Sequence, residues 1–237
     1  LIDSFGGEVV IFIVGGAPMN QETEAFLLKI KFPITVGYGM TECAPLISFT
    51  TDDLFKAGSC GMYIKEYLDL RIDSPDPFKQ VGEILTKGMN VMDGYYNNPE
   101  ASNAVLSPDG WLHTGDLGIL DPDGYLYIKG RSKSLILSPS GQNIYPEEIE
   151  DLLNAQPYIA ESLVIEREGK LVALVYPDSE AMKQHKISRD TLLKIIHETR
   201  KQINQQIPAY SQIARIEIHD EEFEKTPKRS IKRFLYQ

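Results

Sequence analysis

The chain has 237 residues, 42% of them hydrophobic and 24% charged, which suits one large globular domain or two smaller ones and excludes disorder, collagen and coiled coil. Its 24 basic and 34 acidic side chains give a formal net charge of −10, so unspecific binding to nucleic acid or anionic lipid is disfavoured. The longest strongly apolar run, residues 9–14, is far short of the ~20 residues a bilayer span needs.

Charge is spread unevenly: residues 1–131 carry 9 basic and 18 acidic side chains, and residues 132–237 carry 15 and 16. The shift predicts two units. In chain order, a strand over 8–14 leads into the turn Gly15-Gly16-Ala17-Pro18. Asn20 then caps a helix to about Ile30, and a short strand follows at 34–36. Strand, helix and strand with short connections predict a piece of parallel α/β sheet. From about residue 58, strands at 81–86, 117–120 and 125–129 predict an antiparallel sheet or small barrel, with Asp121-Pro122-Asp123-Gly124 as the turn between the last two. The second unit reads as a small α+β domain. Pro146-Glu147-Glu148 opens a helix, strands at 162–166 and 170–176 flank a Glu168-Gly169 turn, Ser188 caps a helix that stops before Pro208, and a strand follows at 214–218.

Five segments could carry chemistry. Gly37-Tyr38-Gly39-Met40-Thr41-Glu42 follows a strand, where open α/β sheets collect ligands. Tyr38 offers a flat face for a base, Thr41 a hydroxyl and Glu42 a hard oxygen for Mg²⁺; the alternative is a plain loop with a capping Thr. In Gly110-Trp111-Leu112-His113-Thr114-Gly115-Asp116, the Asp116 carboxylate could accept from vicinal ribose hydroxyls or simply make an Asx turn. Gly130-Arg131-Ser132-Lys133 falls at the charge boundary and reads as a sugar or phosphate contact with a hinge, or as a solvated linker. Residues 138–148 form a loop of small residues leading into a helix, able to accept an extended ligand. Residues 225–233 hold five cations that could meet a polyphosphate, or merely solubilise a tail. Two cysteines, Cys43 and Cys60, make neither a disulfide framework nor a zinc site, so a reducing, cytoplasmic setting is the expectation.

Together these segments resemble the adenylate-forming superfamily of acyl-CoA synthetases, luciferases and nonribosomal adenylation domains, and most of all the long-chain fatty-acid–CoA ligases. The resemblance rests on Tyr38 to Glu42, on Gly82-Glu83-Ile84 through Pro99-Glu100, on Gly110 to Asp116, on Gly124 through Arg131, and on Asn143-Ile144-Tyr145-Pro146-Glu147-Glu148-Ile149-Glu150. It implies that 1–131 is the C-terminal part of a large ATP- and acyl-binding domain, made of a parallel α/β piece and a barrel-like antiparallel subdomain. Residues 132–237 would be a small mobile α+β domain. It implies ATP, Mg²⁺, a fatty acid and coenzyme A as ligands, no nucleic acid, no transmembrane segment, and room for peripheral membrane contact. Gly16 and Ala17 would line the adenine site, Tyr38 and Gly39 the base, Thr41 the phosphate, and Glu42 the metal. Asp116 and Arg131 would hold the ribose, Lys133 the hinge, and Ser140 and Gly141 the CoA channel.

The chain also departs from the family pattern. The family's phosphate loop with its lysine is absent, so the sequence reads as the C-terminal part of a larger enzyme, expected not to catalyse adenylation alone. At the family's catalytic lysine position stands Ser230, with Lys228 and Lys232 two residues to either side, and Lys232 is the favoured substitute. Ser134 replaces the Asp that often follows the hinge lysine. The alternatives to a fatty acyl-CoA ligase are an aryl or amino acid adenylating enzyme, and a non-catalytic nucleotide-binding relative, which Ser230 keeps open.

Overall fold

The structure is a computed structural model that describes residues 1–16, 19–226 and 229–237. The expectations for Ala17 and Lys228 lie outside the described residues. The chain divides into two compact units, Leu1–Ser132 and Lys133–Gln237.

The first unit opens with β1 (Phe12–Val14), α1 (Gln21–Lys29) and β2 (Ile34–Val36). As expected, β1 and β2 are parallel, and the Asn20 side chain caps α1 by accepting from Thr23 N. The first strand is shorter than the sequence predicts. Phe12 N donates to Pro33 O, and the ladder reaches no further back because its partner β2 starts only after that proline. Strands β3 (Tyr38–Gly39), β4 (Leu46–Phe49) and β5 (Met62–Tyr63) form one antiparallel sheet. Strands β6 (Leu68–Asp73), β7 (Gly82–Gly88), β8 (Leu112–Leu120) and β9 (Leu126–Arg131) form another in sequential order, with α2 (Pro99–Val105) in the β7–β8 connection. Of the two expected forms, open sheet and small barrel, it is the open sheet that forms: the order β6-β7-β8-β9 leaves β6 and β9 unjoined. The strict alternation of β6, inward at Leu68, Leu70 and Ile72, builds one side of a core shared with Cys43, Ile47, Ile84, Leu112 and Leu126.

The second unit begins with the hairpin β10 (Ile136–Leu137) and β11 (Asn143–Ile144), followed by α3 (Pro146–Asn154), β12 (Ile159–Arg167), β13 (Lys170–Pro177), α4 (Ser179–Gln184), α5 (Arg189–Gln206) and β14 (Ile213–Ile218). Glu168 and Gly169, with φ of 54° and 72°, make the two-residue turn whose twist suits the β12–β13 hairpin. Ser188 caps α5 by accepting from Thr191 N, as its position predicts. The sheet runs β12-β13-β14, so β12 is an edge. Alternate residues feed two cores. Val164, Leu171, Ala173 and Val175 meet Leu153 of α3 and Leu192, Ile196 and Ile203 of α5. Leu163, Ile165, Val172 and Leu174 meet Phe223, Ile231 and Tyr236 of the C-terminal segment. Among the described residues no helix is long and apolar enough to cross a membrane.

Candidate nucleotide site

At the carboxyl ends of β1 and β2 two loops meet. Gly37 N donates to Val14 O at 2.9 Å, and a Cβ on Gly15 would lie 3.4 Å from Gly37 O. Gly16, exposed with φ of 88°, follows directly. Parallel strands leave such a crevice beyond their carboxyl ends, and Gly16 and Tyr38 both stand at it. After Tyr38 the backbone doubles back, and a Cβ on Gly39 would stand 2.1 Å from Pro45 O, so only glycine permits this approach. The tight turn Thr41–Cys43 follows. Thr41 is exposed and Glu42 half-buried, while the Cys43 thiol, pushed up to about 12 by burial and by Glu42, is inert.

Asp116 is placed by a β-bulge. Along β7 the pairs Glu83–Leu117 and Leu85–His113 leave residues 114–116 of β8 opposite Ile84 alone. Gly115 takes φ of 72° there. Three of the freed backbone groups find side-chain partners: Thr114 Oγ1 donates to Ile84 O at 2.8 Å, Gly115 N donates to Glu83 Oε1 at 2.9 Å, and Asp116 N donates to Thr114 Oγ1 at 3.1 Å. The second Glu83 oxygen lies 2.9 Å from His113 Nδ1. The bulge turns Asp116 inward, where its side chain is 9% exposed.

Three of the expected site residues therefore touch. The Tyr38 hydroxyl donates to Asp116 Oδ2 at 2.7 Å, and Arg131 Nε lies 2.9 Å from Asp116 Oδ1. Burial and the Asp116 charge raise the Tyr38 phenol above its ordinary value, so it stays a donor. A carboxylate is an acceptor-only group with about four lone-pair sites, the chemistry that recognition of a vicinal diol requires. Glu83, His113, Thr114, Asn90 and Tyr95 are supporting residues that sequence reasoning missed. Asn90 Nδ2 donates to Cys43 O at 2.9 Å and to Leu46 O at 3.0 Å, which fixes the Thr41–Cys43 turn. The side-chain contacts of Asn90, Tyr95 and the Glu83–His113 pair join residues 30 to 53 positions apart, and no local pattern signals that.

The remaining expected residues are on the second unit. Lys133 is its first residue and is exposed. Ser140 and Gly141 form the exposed tip of the β10–β11 hairpin, where Ser138 Oγ lies 3.0 Å from Ser140 Oγ and accepts from Gln142 N at 2.9 Å. In the C-terminal hairpin Lys225 pairs with Ile231, and Ile231 packs into the core. Ser230 and Lys232 flank Ile231 in sequence, Ser230 exposed and Lys232 half-buried. Lys232 Nζ lies 3.1 Å from Glu224 Oε2. Two more of the described cations of this run are paired: Lys225 with Glu161 and Glu222, and Arg233 with Glu147 and Glu150.

Among the described residues no group of three or more His, Cys, Asp or Glu side chains could hold a metal. The Glu42 carboxylate, half-buried and accepting from the Tyr95 hydroxyl through Oε1, is a hard oxygen donor of the kind Mg²⁺ takes one or two of beside phosphates and waters.

Comparison with known proteins gives the family. The family models described as AMP-binding enzyme and AMP-binding enzyme C-terminal domain match residues 2–96 and 133–236. The chain belongs to the adenylate-forming superfamily. Among curated members, 4-coumarate-CoA ligase 2 of Narcissus pseudonarcissus is 35% identical over 79% of this chain and 36% of its own length. A long-chain-fatty-acid–CoA ligase of Escherichia coli is 39% identical over 62% of this chain and 27% of its own. Among solved adenylate-forming enzymes, the Bacillus subtilis o-succinylbenzoate CoA synthetase in complex with ATP and magnesium ion superposes with a TM-score of 0.76 at 28% identity, covering 98% of this chain and 49% of that one. The chain thus spans about half the length of that structure and less of the two curated relatives.

Proposed function

We propose that this chain is part of an AMP-forming acid–thiol ligase that activates a long-chain fatty acid with ATP and passes it to coenzyme A. The observation that carries this is the contact of Tyr38 and Arg131 with the buried Asp116 carboxylate, beside a turn that presents Thr41 and Glu42. Asp116 accepts from the ribose hydroxyls, Tyr38 borders the base with Gly16 and Gly39, and Thr41 donates to the α-phosphate. Glu42 holds Mg²⁺, which supplies positive charge against the phosphates when bound.

In the first step the substrate carboxylate attacks the α-phosphorus, and the bond to pyrophosphate breaks. Both reactants are anions, so fixed positive charge must offset the charge that develops. Lys232 contributes it by exchanging Glu224 for phosphate. In the second step the CoA sulfur, having lost its proton, attacks the acyl carbon and AMP leaves, with Ser140 and Gly141 beside the thiol path. Lys133 is the hinge about which residues 133–237 turn between the steps. Lys232→Ala in the full-length protein is expected to lower ATP–pyrophosphate exchange by at least about tenfold. An unchanged rate would remove Lys232 from the mechanism, whereas no exchange by the parent itself would favour the non-catalytic relative that Ser230 keeps open.

A second reading, an aryl-CoA ligase, draws on the similarity to 4-coumarate ligases. Thioester formation by the full-length protein with a panel of fatty acids and 4-coumarate tests both. Long-chain acyl-CoA as the main product supports the first, and coumaroyl-CoA supports the second.

A further inference from the structure

The Gly94-Tyr95-Tyr96-Asn97-Asn98-Pro99-Glu100 block has no role in the reading above, and the structure gives it one. Asn98 caps α2 by accepting from Ala101 N at 3.1 Å, and Pro99 occupies the first helical turn. On the next turn Ser102 Oγ accepts from Tyr95 N at 2.8 Å. Gly94, with φ of 150°, allows this approach, since a Cβ there would lie 2.9 Å from that same hydroxyl oxygen. The helix start thus anchors the Tyr95 backbone. From there the Tyr95 hydroxyl donates to Glu42 Oε1 at 2.8 Å. Three residues earlier in the chain, Met92 N donates to Glu42 O at 2.8 Å. Main chain and side chain of Glu42 are therefore both held by residues 92–95, while Asn90 holds the carbonyl of Cys43.

We propose that Tyr95 is a positioning residue whose hydroxyl fixes the Glu42 carboxylate in the orientation in which it meets the nucleotide-bound divalent cation. This rests on the reading of Glu42 as a metal ligand. A carboxylate on a free side chain must lose rotamer freedom when it ligates, and a donor to one of its oxygens removes that freedom beforehand. The adjacent Tyr96 is 93% exposed and serves as an internal control.

The test is titration of the full-length protein with Mn²⁺ in the presence of a saturating non-hydrolysable ATP analogue, following free Mn²⁺ by electron paramagnetic resonance. Tyr95→Phe is expected to weaken Mn²⁺ binding about tenfold, with its thermal midpoint near that of the parent, and Tyr96→Phe to bind as the parent does. Glu42→Gln is expected to weaken binding more than Tyr95→Phe. If Glu42→Gln weakens binding and Tyr95→Phe does not, the positioning role fails while the metal-ligand reading stands. If Glu42→Gln binds Mn²⁺ like the parent, the metal-ligand reading itself fails and takes the positioning role with it. Equal losses in Tyr95→Phe and Tyr96→Phe also overturn the proposal.

Discussion

Replacing Arg233 with methionine is expected to destabilise the second unit by about 3–5 kcal/mol, the usual cost of stripping one partner from a buried ion pair. Arg233 and Glu150 side chains are 19% and 11% exposed and form a direct ion pair. They also complete the β12 edge. Glu150 Oε1 accepts from Val164 N at 2.6 Å, and Arg233 Nη1 donates to Val164 O at 3.2 Å, so two side chains stand in for a missing neighbour strand. Methionine leaves the Glu150 charge desolvated and Val164 O without this donor. Urea unfolding of the 237-residue chain measures the loss, and a loss below about 1 kcal/mol would contradict this account.

The cost should depend on pH. Burial raises the Glu150 carboxyl to about 7, from 4.5, against the opposing pull of Arg233. A carboxyl raised on folding contributes stability that is complete below its unfolded value and is lost as pH rises through the folded one. Unfolding free energy should therefore fall between about pH 4.5 and 7 through this group. Without Arg233 the folded value climbs further, so Arg233→Met should cost less at pH 4.5 than at pH 8. A second substitution, Glu150→Leu, should recover part of the loss at pH 8, because it removes the stranded charge.

What was legible in the sequence was local. Asn20, Ser188, Pro146 and the Glu168-Gly169 turn announce themselves because a cap or a turn is decided within three or four residues. The bulge in β8 was not legible. It arises from pairing with β7 some thirty residues away, so 110–116 reads as a loop where the structure has strand from Leu112 onward. The charge run at 225–233 misleads for a related reason. Lys225 and Arg233 stand out in the sequence, whereas Glu161, Glu147 and Glu150, which pair with them, lie more than sixty residues back. The contact between Tyr38 and Asp116, 78 residues apart, could be expected from the family resemblance and from no property of either segment alone.

That contact supports the last prediction. Asp116→Ala in the full-length protein is expected to weaken ATP binding by about 100-fold or more, since each hydrogen bond to a charged group contributes about 1.5–3 kcal/mol. Asp116→Asn should bind more weakly than the parent but better than the alanine variant, because its single carbonyl oxygen can accept from Tyr38 or from a ribose hydroxyl but carries no charge for Arg131. Loss of affinity alone would not locate the contact, since the alanine also takes the acceptor from the Tyr38 hydroxyl and the partner from Arg131. The decisive measurement pairs the protein change with a ligand change. The parent should lose affinity for 2′,3′-dideoxy-ATP relative to ATP, whereas Asp116→Ala should bind the two nucleotides almost equally, because the bond that the hydroxyls would make is already gone. Equal losses on removing the hydroxyls in parent and variant would mean that Asp116 and the ribose act independently. The carboxylate would then be a structural strut between Tyr38 and Arg131, and the ribose would have to be held by other groups.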